Sequence, residues 1–113
     1  MSNVYDQAHA LARALRESEE LKVLEQAWTS ISKDQAKRQL LDQFRQLQME
    51  VQMAQMSGQA PSQEAVKQLN GLLEKVQADP GLKSFLEVEQ RLGTMMNDLN
   101  RIISEPLERI YRS

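Results

Sequence analysis

The chain has no cysteine among its 113 residues. Disulfides, thiol catalysis and iron–sulfur ligation by its own thiols are therefore excluded, and a reducing compartment suits it. Glycine (4) and proline (3) are scarce, too few to punctuate many short strands. Aromatic residues make up only 4%, which argues against a β-sandwich core. No apolar run is long enough to span a bilayer. The opening MSNVYDQAHALARALRESEE carries acids and no continuous apolar stretch, unlike a signal peptide. Charge of one sign is also lacking: the net value is -2. A direct nucleic-acid binder normally carries a basic excess, which this chain does not have. These absences point to a soluble, cytoplasmic protein with no membrane contact and no direct nucleic-acid contact expected.

What is present has helical periodicity almost throughout, in a length that fits one domain spanning residues 1–113. Val4, Ala8, Leu11, Ala12 and Leu15 share one face of a first helix. Ser18 can cap a second, with Leu21, Leu24, Trp28 and Ile31 as its stripe. The stretch SISKD breaks the pattern, and Ser32 or Asp34 can cap the next helix. That third helix, from about Lys33 to Met56, carries a heptad-like seam of Leu40, Phe44, Leu47, Val51 and Ala54. Gly58 and Pro61 end it. Ser62 caps a fourth helix with Val66, Leu69, Leu72, Leu73 and Val76. Asp79 and Pro80 open a fifth, where Phe85, Val88, Leu92, Met95, Leu99 and Ile102 keep unbroken three–four spacing. Pro106 should kink or end it, leaving one last turn. The fold class is all-α: an elongated bundle of about five helices, two of them long and heptad-like.

The third helix is apolar on two faces. At about 100° per residue, Met49, Met53 and Met56 project almost opposite the seam. A helix of this kind needs two partners, and one short chain readily covers one face. The Met face is read first as a contact between two copies of the chain. The second reading is an adaptable docking face for a different protein, since methionine repacks easily, and both can hold together. Phe85, Leu92 and Leu99 are expected in the core that such copies share.

Candidate chemistry is thin. His9 is the single histidine, and no EF-hand loop, paired-histidine helix or Gly-rich phosphate loop occurs. No metal and no cofactor are expected. His9 lies at the edge of the first helix's apolar face and reads as a partly buried, hydrogen-bonded structural residue. Glu89 falls inside the apolar stripe of the fifth helix. An unpaired buried carboxylate is costly, so a structural ion pair with Arg13, Arg16, Arg38 or Arg45 is the expected arrangement. Gly93 flanks the same stripe, where a close helix approach would account for it. Lys33, Lys37 and Arg38 form the one modest basic cluster, diluted by Asp34.

Three stretches taken in order, VYDQAHALARALRESEE, FRQLQMEVQMAQMSGQ and EQRLGTMMNDLNRIISEPLERIY, span nearly the full length. Through them the chain resembles the YlbF/YmcA family of small bacterial helical proteins, in particular its YheA-like branch. The resemblance implies a helical, dimer-forming cytoplasmic protein without catalytic residues. It implies a regulatory partner role of the kind relatives play in competence, sporulation and biofilm formation. Relatives also steer a ribonuclease, so an RNA-associated accessory subunit acting with such an enzyme is the alternative. Some relatives carry cysteines associated with iron–sulfur clusters; this chain has none, and that feature does not transfer. The expectation is thus a non-enzymatic, homodimeric interaction protein that presents a Met-containing helical face to a protein partner.

Overall fold

The computed structural model describes residues 3–112, and these form five α-helices and no strand. They are α1 (Val4–Arg16), α2 (Glu19–Lys33), α3 (Gln35–Met56), α4 (Gln63–Ala78) and α5 (Pro80–Arg112).

Most helix starts are set by short polar side chains that satisfy orphan backbone N–H groups. The Asp6 N–H donates to Asn3 Oδ1 at 2.9 Å and Asp6 in turn accepts from the Asn3 N–H at 3.4 Å, a capping box for α1. Ser18 Oγ accepts from the Leu21 N–H at 3.3 Å as α2 begins. Of the two caps open for α3, Asp34 is the one used: it accepts from the N–H groups of Ala36 and Lys37. The expected break across SISKD is accordingly narrower than its composition suggests. Ser30, Ile31, Ser32 and Lys33 stay in α2, and the Ser32 hydroxyl donates to the Thr29 carbonyl at 3.1 Å. Ser62 caps α4 through the Ala65 N–H at 3.0 Å. Gly58 follows α3 with φ of 81°, a left-handed conformation that glycine adopts without a Cβ penalty.

Two compact units divide the described residues, one within Met1–Glu25 and Leu86–Ser113 and the other within Gln26–Phe85. The divisions fall inside α2 and α5. In the Gln26–Phe85 unit α3 packs on α4. Ile31, Leu41, Val76 and Leu82 are almost completely buried there, together with Phe44, Val51 and Phe85. Each such side chain stabilises the fold by about 1.5–3 kcal/mol. The buried face of α3 is turned slightly from the expected seam. Leu41, Phe44 and Val51 are buried, while Leu40, Leu47 and Ala54 are half-buried.

The other unit is thinly covered. α1 buries no residue, and Val88 and Leu92 are its buried apolar side chains. Beyond Leu92, α5 buries no described residue. Of the two outcomes expected at Pro106, a kink or an end, the end does not occur: the helix continues to Arg112. Proline lacks the N–H that would bond the carbonyl four residues back, at Ile102. Ile102 is exposed, so water can serve that carbonyl. Glu105–Arg109 (2.9 Å) and Glu108–Arg112 (3.5 Å) ion pairs span the turns around the proline.

Candidate interaction surfaces

Among the described residues α1 leaves its apolar side open, and two longer apolar faces are uncovered on α3 and α5. On α3, Met49, Met53 and Met56 are 61%, 64% and 87% exposed. They project away from the buried Leu41, Phe44 and Val51, so the opposition expected from helical spacing is the one the structure shows. On the distal part of α5, Ile102, Ile103, Leu107, Ile110 and Tyr111 are all more than three-fifths exposed. Leu99 is half-buried at the head of this stripe. Its charged flanks carry their own ion pairs: Asp98 with Arg101, Glu105 with Arg109, and Glu108 with Arg112. The stripe is therefore apolar along its centre and locally neutral along its edges.

The other residues singled out in the sequence fall in different places. Phe85 and Leu92 are buried within the single chain. Glu89 is half-buried, beside the buried Val88 on α5. His9 is exposed, not partly buried as expected, because α1 buries no residue and its apolar edge stays open as well. Gly93 lies against no close neighbour: a Cβ there would meet nothing within 4 Å. Lys37 is tied to Asp79 at 3.5 Å, while Lys33 and Arg38 are exposed.

An aromatic and cationic cluster in the Gln26–Phe85 unit was not legible as a site. The Trp28 and Phe85 rings lie 5.7 Å apart between centroids, tilted by 31°. The Arg38 guanidinium lies 5.7 Å from the Trp28 ring and that of Arg45 lies 5.4 Å from Phe85. The available signal was the seven-residue interval between Arg38 and Arg45, which places both on one face of α3.

An open groove of about 490 Å³ runs between α3 and α4, lined by Leu47, Leu72 and Gly71 together with Gln43, Gln46, Glu50, Gln68 and Lys75. It holds a single carboxylate, whereas acid–base catalysis generally calls on two positioned groups. Among the described residues no group of three or more His, Cys, Asp or Glu is placed to hold a metal ion. No described helix is long and apolar enough to cross a membrane.

Five helices and no strand among the described residues, with apolar surface left open on α1, α3 and α5, define a small all-α protein. The chain belongs to the YlbF/YmcA family: the family model described as "Control of competence regulator ComK, YlbF/YmcA" matches residues 4–108. A UPF0342 protein of Halalkalibacterium halodurans is 46% identical over 111 residues, covering 98% of this chain and 96% of its own. A UPF0342 protein of Bacillus pumilus is 36% identical over 109 residues, 96% of this chain and 92% of its own. Among solved structures, yheA from Bacillus subtilis superposes with a TM-score of 0.68 at 28% identity. That match covers 97% of this chain and 100% of the other. A DUF964 protein from Bacillus stearothermophilus reaches a TM-score of 0.77 at 24% identity, over 97% of this chain and 96% of its own, and supports the fold alone. The family is linked to control of a competence regulator, which is a regulatory role.

Proposed function

We propose that this chain is a non-enzymatic, cytoplasmic regulatory protein that works as a homodimer and presents the Met49–Met53–Met56 face to a protein partner. The observation that carries the proposal is the pair of uncovered apolar faces on α3 and α5. The part of α5 beyond Leu92 leaves its apolar stripe unburied along its described length, and covering that stripe removes apolar surface from water. A second copy of the same stripe suits it, because an isologous contact sets like against like and the flanking charges are already paired. Leu99 joins that contact, and Leu92 is the buried residue that continues the stripe within its own unit, while Phe85 is buried in the Gln26–Phe85 unit. Methionine is unbranched and polarizable, and suits a surface that must repack against another protein. Glu89 serves as a structural ion pair and takes no part in chemistry.

Light scattering on three variants tests this reading. Ile103→Glu should convert the dimer to a monomer, since a carboxylate cannot be buried in an apolar seam without a partner. Met53→Glu should keep the dimer and lose the protein partner, and Glu89→Gln should change neither. A wild-type chain that is monomeric, or an Ile103→Glu dimer as tight as wild type, would remove the α5 contact.

A further inference from the structure

The exposed face of α3 does not end at its methionines. Arg38, Arg45, Met49 and Met56 are separated by seven, four and seven residues, and so share one face of α3. Over about 27 Å this face changes from cationic to apolar. Asp42 lies between the two arginines and is the one acid on it. At the cationic end the Arg38 guanidinium lies over Trp28, which is 38% exposed, and that of Arg45 lies over Phe85. A guanidinium beside an aromatic ring can still offer its N–H groups to a planar acceptor, and Arg38 is exposed. No described carboxylate forms an ion pair with Arg38. The N-terminus of α3 adds partial positive charge at the same end. From Gln26 to Arg45 the chain has four cations (Lys33, Lys37, Arg38, Arg45) against two acids (Asp34, Asp42), and Asp79, which pairs with Lys37, leaves a local +1 within a total of -2.

We infer that the partner docked on this face is an amphipathic helix of two halves: apolar anchors over Met49–Met56, and carboxylates against Arg38 beside Trp28. The inference rests on the Met face being a docking face, and it adds the chemistry and the direction of the occupant. Carboxylate is favoured over RNA because an RNA-binding aromatic offers its ring to a base, and here Phe85 and Arg38 already pack on the Trp28 ring. Charge complementarity of this kind sets register and partner choice as well as affinity.

Trp28 is the chain's only tryptophan, so its emission reads this end of the face directly. The probe is a synthetic 18-residue helical peptide with leucines in one half and glutamates in the other. Two companions are used: a twin with glutamine in place of glutamate, and an oligouridine of similar length. The glutamate peptide should shift Trp28 emission saturably. Arg38→Gln should weaken its binding about tenfold, and Met53→Glu should abolish it. Equal binding of the glutamate and glutamine peptides, or no effect of Arg38→Gln, overturns the acidic occupant and leaves the Met face standing. Binding that Met53→Glu does not alter, or no binding of either peptide, overturns the docking face itself. An oligouridine that shifts Trp28 more tightly than the peptide assigns the cationic end to RNA and overturns the inference.

Discussion

The Lys37 ammonium lies 3.5 Å from Asp79 Oδ2, so one carboxylate links the first turns of α3 to the start of α5. The other oxygen of Asp79 accepts from the N–H groups of Gly81 and Leu82 at 2.9 and 3.1 Å, capping α5. The two duties have different worth. A helix cap contributes about 0.5–2 kcal/mol, whereas an ion pair between partly exposed groups contributes about 0–1 kcal/mol. Asp79→Asn keeps the capping oxygen and loses the charge, so it should cost a few tenths of a kcal/mol. Asp79→Ala loses both and should cost about 1–2 kcal/mol. Urea unfolding of the two variants checks the order; equal losses would mean that the ion pair dominates.

Leu40 and Leu41 are adjacent and chemically identical, yet Leu41 is completely buried and Leu40 half-buried. Leu41→Ala should cost about 2–5 kcal/mol, the range for a truncated core leucine whose cavity cannot fully collapse. Leu40→Ala should cost clearly less, because water already reaches its site. Equilibrium denaturation of both variants decides the matter. A larger loss at Leu40 would place the true buried face back on the heptad-like seam.

Gly71 sits in the interior of α4, and a Cβ added there would meet nothing within 4 Å. Gly71→Ala should therefore stabilise the chain by about 0.5–1 kcal/mol, through helix propensity and a less free unfolded chain. A raised melting temperature is the expected result. A lowered one would show that something closely covers this side of α4 in solution.

Much of the fold was readable from local signals. Helix starts followed from Ser18, Ser62 and Asp79, and the α3–α4 turn from Gly58 and Pro61, because capping and chain reversal depend on a few neighbouring residues. The Met face was readable too, since angular position on a helix follows directly from residue number. Two local signals overstated a break. SISKD is polar but mostly tolerated within a helix, and Pro106 does not end α5 because only one exposed carbonyl loses its donor. His9 was misplaced because spacing shows which side of α1 is apolar and not whether anything covers it.

The sequence by itself determined the helices, their caps and the side of each that is apolar, all consequences of backbone geometry and side-chain type within a few residues. Only the tertiary structure decided which apolar sides are used up inside the chain. It buries Leu41, Val76 and Leu82 and leaves Met49, Met53 and Met56 and the distal stripe of α5 open, because burial depends on what distant segments bring alongside. It also brought Arg38 over Trp28 and Arg45 over Phe85, three helices contributing to one cluster that no local pattern records.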